Sequence, residues 1–262
     1  MFTRALVRPP AQNFSAGLTT STLGPPNYEL ALRQHELYCH ALTQCGLEVI
    51  RLEADERYPD STFVEDTAVI IAPNPNARPK IMFTRPGAAS RTGEVESIRK
   101  SLGQFDFEMH SIEPPGTLDG GDVCEADNHF FIGISERTNE SGAKQLARLL
   151  DSWGQTSSFV DIRNLERLLH LKSGLAYLGN QRLALVETLA NNEMFRGYEI
   201  VGLCPEEEYA ANCIRVNEHL LIAAQHPRFQ QSLTDLGYQT VALQMSEFQK
   251  MDGGISCLSL RF

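Results

Sequence analysis

Apolar residues along the chain fall into short alternating runs that come in pairs. The clearest pair is Gly121–Ser135, GDVCEADNHFFIGIS. DVCEA alternates, ADNH supplies turn residues and HFFIGI is a second run, which predicts two strands joined by a tight turn. The next segment carries apolar residues at Ala143, Leu146, Ala147, Leu149 and Leu150 with a glycine at Gly154, the spacing and stop signal of an amphipathic helix.

The same order recurs. Ser173–Glu187 has GNQ at its turn, and Asn212–Ala224 has NEH, followed by a helix expected over Pro227–Leu236 that opens on a proline. In Glu65–Thr84, DTAVIIA and KIMFT flank the loop PNPNARPK, with a helix near Gly93–Leu102. The fifth unit is split between the ends: GISCLSLRF closes the chain as a strand, RALVRPP opens it, and a helix follows over Tyr28–Cys45. Five units at a period of ~40–55 residues favour a ring of repeated modules, closed by pairing of the two terminal strands, over an ordinary α/β sandwich. No linker interrupts it, so residues 1–262 read as one domain.

Composition narrows the partners. The 262 residues include 23 Lys plus Arg against 33 Asp plus Glu, a net charge of −10. That balance opposes nucleic acid and anionic membranes and suits a cationic small substrate. No apolar run approaches the ~18 residues of a membrane span, and MFTRALVRPP has no apolar core for a secretory signal. The expected location is the cytosol, with the six dispersed cysteines reduced.

Four stretches can carry chemistry. DSTFVED (Asp60–Asp66) sets three carboxylates beside Phe63, a combination that can hold a planar cation or merely form a solvated acidic loop. Read as a strand from Phe63, it points Phe63 and Glu65 one way and Val64 and Asp66 the other. LDGGD (Leu118–Asp122) offers Asp119 and Asp122 to a cation, a histidine or a turn. HLKS places His170 just before a strand, where it can move protons. MDGGISCLS puts Cys257 among small and polar residues, whereas Cys213 lies in an apolar strand where an inert thiol is expected. Arg91 and Arg137 occupy matching places between second strand and helix, and could clamp a carboxylate or simply charge a helix start. In a ring, all these sites gather at one central mouth.

The set DSTFVED, GTLDGGD, ISERTN, LHLKSGLAYL, YAANCIRVNE and MDGGISCLSLRF, in this order and over nearly the whole chain, resembles the dimethylarginine dimethylaminohydrolases. The resemblance implies an α/β pentein fold, five ββαβ units in pseudo-fivefold symmetry around a central active site. It implies hydrolysis of N-omega-methylated arginines to citrulline and a methylamine through a covalent thiouronium, with no cofactor and no metal. It makes Cys257 the nucleophile, His170 the general acid and base, and Asp119 the partner of that histidine. Asp60, Glu65 and Asp66 become substrate-binding carboxylates and Phe63 the ring beside the guanidinium. Arg91 and Arg137 take the α-carboxylate, Leu18 belongs to a lid, and the main-chain oxygen of Met251 meets the α-amine. A thiolate in such company could still trap zinc adventitiously. An arginine deiminase on the same fold and a guanidine-binding protein without turnover are the rivals. The oligomeric state stays open, a homodimer included. The loop Pro73–Pro79 is longer and richer in proline than the resemblance leads one to expect.

Overall fold

A computed structural model describes residues 1–71, 78–165 and 167–262. The body of the Pro73–Pro79 loop lies outside the described residues. The chain opens with β1 (Arg4–Val7), α1 (Tyr28–Gln44) and β2 (Glu48–Arg51). Four ββαβ modules follow. The first is β3 (Ala68–Ile71), β4 (Lys80–Phe83), α2 (Glu94–Leu102) and β5 (Glu108–Ser111). The second is β6 (Val123–Ala126), β7 (His129–Ile134), α3 (Glu140–Ser152) and β8 (Thr156–Asp161). The third is β9 (Leu175–Gly179), β10 (Arg182–Leu185), the single turn α4 (Glu187–Ala190) and β11 (Glu199–Gly202). The fourth is β12 (Ile214–Val216), β13 (His219–Ala223), α5 (Pro227–Asp235) and β14 (Gln239–Leu243). After the short α6 (Ser246–Gln249) comes β15 (Leu260–Arg261).

Each module makes a three-stranded sheet with its second strand in the middle, antiparallel to the first and parallel to the third. The fifth sheet is assembled from both ends of the chain: β15 pairs antiparallel with β1 through Leu260 and Leu6, and β1 pairs parallel with β2. The expected closure by the terminal strands is therefore present. Three hairpins turn within the expected ADNH, GNQ and NEH segments, each through a two-residue loop. Asp127, Asn180, Gln181 and Asn217 adopt φ values of 53° to 56°, the conformation that Asn and Asp tolerate best in tight hairpin turns.

Helices cover the outside. Asn139 caps α3 by accepting the Gly142 N–H at 2.8 Å. The face Ala143, Leu146 and Leu150 packs with Val123, Phe130 and Ile132, and Gly154 ends the helix at φ +76°. Asn27 caps α1 through the Leu30 N–H at 2.9 Å, and Tyr38 and Leu42 are fully buried on its inner face. Two expectations are corrected. The segment after Phe63 is not a strand: Val64–Thr67 forms a 3-10 turn and β3 begins only at Ala68. Likewise Ser256–Leu258 is a 3-10 turn, leaving two residues for β15. Both turns bury polar groups that an alternating strand would have directed outward.

These two turns belong to a set of five. Val64–Thr67, Gly120–Asp122, Leu171–Ser173, Pro205–Ala211 and Ser256–Leu258 each immediately precede the first strand of a sheet. Contacts run from the Ser256–Leu258 turn to Val64–Thr67, on to Gly120–Asp122, Leu171–Ser173 and Pro205–Ala211, so short, largely buried segments from all five sheets meet.

Candidate active site

Glu65, Asp66 and Cys257 lie in the five turns and Phe63, Asp119 and His170 immediately before them, whereas Leu18, Asp60, Arg91, Arg137 and Met251 come from other segments. One cleft is lined by Leu18, Asp60, Phe63, Asp66, Arg91, Arg137, His170, Met251 and Cys257, joined by Leu169, Asp252 and Gly253. Asp119 is fully buried behind it. Its Oδ2 meets Nε2 of His170 at 3.0 Å, while Oδ1 accepts the Gly87 N–H at 2.8 Å. The carboxylate is thus fixed from one side and fixes the ring on the other. Asp122 braces the same turn, accepting the Leu171 N–H at 2.9 Å and the Ser135 hydroxyl at 2.6 Å. The paired glycines are steric requirements. A Cβ on Gly120 would strike the Glu65 carbonyl, and one on Gly121 would lie 2.8 Å from the His170 ring and from Asp66.

Asp66 is the electrostatic centre. Its Oδ1 accepts the Gly121 N–H at 2.9 Å and lies 3.9 Å from His170 Nε2, and its Oδ2 accepts from Arg91 Nη1 at 2.6 Å. Burial works against both charges in this pair. The mutual attraction of Asp66 and His170, with Arg91 and the Asp119 hydrogen bond, outweighs it: the carboxyl is held below its usual range and the imidazole is raised to about 9. Near neutral pH the pair is carboxylate and imidazolium. The Cys257 thiol goes the other way. Burial, then the nearby Glu65 and Asp66 charges, push it up to about 12, against a pull from the Gly254 N–H at 3.4 Å. A cation beside Asp66 would reverse that balance and favour thiolate.

Asp60 is raised by burial, and both its oxygens accept the Leu18 N–H, at 3.0 and 3.2 Å. Phe63 packs on Phe14 and Phe248 at centroid distances of 5.9 and 6.3 Å. Arg91 and Arg137 face the cleft under different constraints. Arg91 is buried and heavily engaged, by Asp66, by Glu94 at 2.8 Å and by the Phe63 carbonyl at 3.0 Å. The Arg137 guanidinium lines the cleft with no ion pair to the described residues; its main-chain N–H is tied to Ser135.

Glu65 stands apart from the other expected carboxylates. It does not line the cleft. Its Oε1 accepts from Lys172 Nζ and its Oε2 from the Ser256 hydroxyl, each at 2.6 Å. The strand reading had grouped Glu65 with Phe63, whereas the 3-10 turn sends it behind the cysteine. Sequence reasoning missed Lys172, Asn212, Ser256 and Glu94. The polar pair of Asn212 and Ser256 beside two otherwise apolar strand starts was the available signal. Among the described residues, Asp66, Asp119 and His170 bring three ligand atoms within 4.8 Å of one another, a possible cation-binding geometry that leaves Cys257 out.

Five ββαβ modules whose turns converge on a half-buried cysteine, a buried histidine and buried carboxylates have the architecture of a pentein fold. No protein-family model matches the chain. The N(G),N(G)-dimethylarginine dimethylaminohydrolase of Pseudomonas aeruginosa is 42% identical over 263 residues, covering all of both chains. A structure of the Pseudomonas aeruginosa enzyme, a cysteine-to-serine mutant complexed with citrulline, superimposes with a TM-score of 0.93 at 41% identity over 100% of each chain. A histidine-to-glycine dimethylarginine dimethylaminohydrolase, as an adduct with S-methyl-L-thiocitrulline, gives 0.92 at 42% identity, again over 100% of each. The chain belongs to the dimethylarginine dimethylaminohydrolase family.

Proposed function

We infer that the chain, as one catalytic domain, hydrolyses N-omega-methylated arginines to citrulline and a methylamine. The observation that carries this is one cleft that brings Cys257 and His170 together with the buried carboxylates Asp60 and Asp66, in a member of this family. Asp66 and Asp60 receive the guanidinium, with Phe63 against its face. The arriving cation lowers the pKa of Cys257, the thiol gives up its proton to solvent, and the resulting thiolate attacks the central carbon. The tetrahedral adduct collapses as His170 gives its proton to the departing methylamine, leaving a thiouronium on sulfur. His170, now neutral, takes a proton from water, and the hydroxide attacks the thiouronium carbon. Collapse releases citrulline and restores the thiol and imidazolium. Asp119 holds the ring in line and stabilises its cationic form.

At the amino-acid end, Arg137 takes the α-carboxylate and Arg91 contributes while anchoring Asp66. The Met251 carbonyl meets the α-amine and Leu18 closes over both. Glu65 supports the cysteine turn from behind. No helix among the described residues is long and apolar enough to cross a membrane, and the six cysteines are free, which supports action in the reducing cytosol. The deciding experiment measures products from mono- and dimethylarginine, from arginine, and with an added amine. Citrulline with methylamine release supports the reading. Ammonia from arginine alone indicates a deiminase, and a transferred amidine an amidinotransferase.

A further inference from the structure

Asn212 ends the Pro205–Ala211 turn of the fourth module and is buried outside the cleft lining. Its Nδ2 donates to the Lys172 carbonyl at 3.0 Å and to the Ser256 hydroxyl at 3.1 Å, and its Oδ1 accepts the Ser256 N–H at 2.8 Å. Both amide hydrogens are therefore used, one on each side. Lys172 lies two residues after His170, and Ser256 immediately precedes Cys257. One side chain ties the turn that carries the histidine to the turn that carries the cysteine.

The tie is part of a closed circuit. The Ser256 hydroxyl donates to Glu65, and Glu65 accepts from the ammonium of Lys172. Modules one, three and four and the C-terminal turn are thus linked by hydrogen bonds that include two opposite charges. Backbone packing is adapted to the same contact: a Cβ on Gly254, whose N–H faces the Cys257 sulfur, would collide with the Asn212 amide.

We propose that Asn212 is a positioning residue for the reaction, setting the Cys257 sulfur against the His170 ring through Ser256 and Lys172. This rests on the reading of Cys257 as nucleophile and His170 as proton donor. Chemistry that hands a proton to a leaving group while a carbon–sulfur bond is present depends on the relative placement of two turns that lie in different modules, far apart along the chain. Asn212 is too far back in the wall to touch substrate, so its loss should slow chemistry and spare binding.

The test is steady-state kinetics and quenched mass spectrometry with asymmetric dimethylarginine on Asn212→Asp and Asn212→Ala. Asn212→Asp keeps the shape and the acceptor for the Ser256 N–H but cannot donate to Lys172 or Ser256. We expect kcat to fall about 100-fold in both, the scale of a small misplacement of reacting groups, with KM within about threefold and slow build-up of the covalent adduct. An unchanged kcat in Asn212→Asp, or a raised KM at unchanged kcat, overturns the proposal. Ser256→Ala reads the same circuit should both Asn212 variants fail to fold. It should lose roughly tenfold in kcat at constant KM, and an undiminished kcat there overturns the proposal as well. Cys257→Ser runs as a control: turnover surviving in it would overturn the underlying reading, whereas an active Asn212→Asp beside an inactive Cys257→Ser removes only the positioning role.

Discussion

Nη1 of Arg91 donates to Oδ2 of Asp66 across 2.6 Å, so a cation expected at one end of the substrate and an anion expected at the other are bonded to each other. Arg91 also holds Glu94, whose carboxyl burial raises to about 7. The arginine is therefore a keystone of the wall before it is a clamp. Arg137, at the matching place in the next module, makes no ion pair among the described residues.

The first prediction separates these two arginines. Arg137→Ala should raise KM for methylated arginines by about 10- to 100-fold, the loss of charge-assisted hydrogen bonds, and should leave turnover of a methylguanidine lacking the carboxylate unchanged. Arg91→Ala should impair both compounds, because Asp66 and Glu94 are left as unpaired buried carboxylates. It should also cost ~3–5 kcal/mol of stability, read by denaturant unfolding. If Arg91→Ala is harmless on the carboxylate-free compound, Arg91 is a clamp only.

The second concerns the nucleophile. Cys257→Ser should lower kcat by at least ~10⁴-fold with thermal unfolding little changed, since serine is close in size and the sulfur makes one weak hydrogen bond among the described residues, with the Gly254 N–H. Citrulline formation at a near-native rate would remove Cys257 from the mechanism.

Much of this was legible in the sequence because it was written in periodic pattern. The hairpins at Asp127, Asn180 and Asn217 announced themselves through turn residues, and α3 through its apolar face and Asn139. The third strand of each module was invisible to periodicity alone. β2, β5, β8 and β14 are half-exposed edge strands such as EVIR and EMHS, with no apolar alternation to read. The site was legible as residue types but not as orientation. Glu65 and Asp66 are adjacent in the chain, and only the 3-10 turn decides that Asp66 faces the cleft while Glu65 reaches Lys172. Asn212 escaped notice because its role joins turns 40 and 44 residues away, a separation that local patterns do not encode.

The third prediction addresses the segment after Leu18, proposed above to close over the amino-acid end. The Asp252 carboxylate accepts from the Thr20 N–H at 2.5 Å and from the Thr20 and Thr19 hydroxyls at 3.0 and 3.2 Å. Asp252 sits at φ +56°, so Asp252→Gly removes the acceptor without backbone strain. It should raise KM about 3- to 10-fold with kcat nearly constant, as expected when a closing segment is loosened, and should speed proteolytic cleavage within residues 18–24. Unchanged KM and cleavage would show that the latch is idle.

The fourth uses the protonation of His170. Folding raises its pKa from 6.5 to about 9: burial alone would lower it, but Asp66 and the Asp119 hydrogen bond prevail. In the proposed mechanism this proton expels the methylamine, so kcat should decline as pH rises through the neighbourhood of 9. The same shift gives a stability signature of fixed sign. A group whose pKa is raised by folding stabilises the native state fully below its unfolded value, and that contribution is lost as pH climbs through the folded one. Unfolding free energy should therefore fall between about pH 6.5 and 9. Asp119→Asn replaces the anion facing Nε2 with a neutral amide, so His170 should titrate at lower pH. The alkaline limb of kcat and the loss of stability should move down together, while KM for methylated arginine changes little because Asp119 lies behind the ring. Imidazole titration by NMR in native protein and in Asp119→Asn, set beside the two pH profiles, checks all three. If the activity limb moves while the titration of His170 does not, the proton that limits turnover belongs to another group.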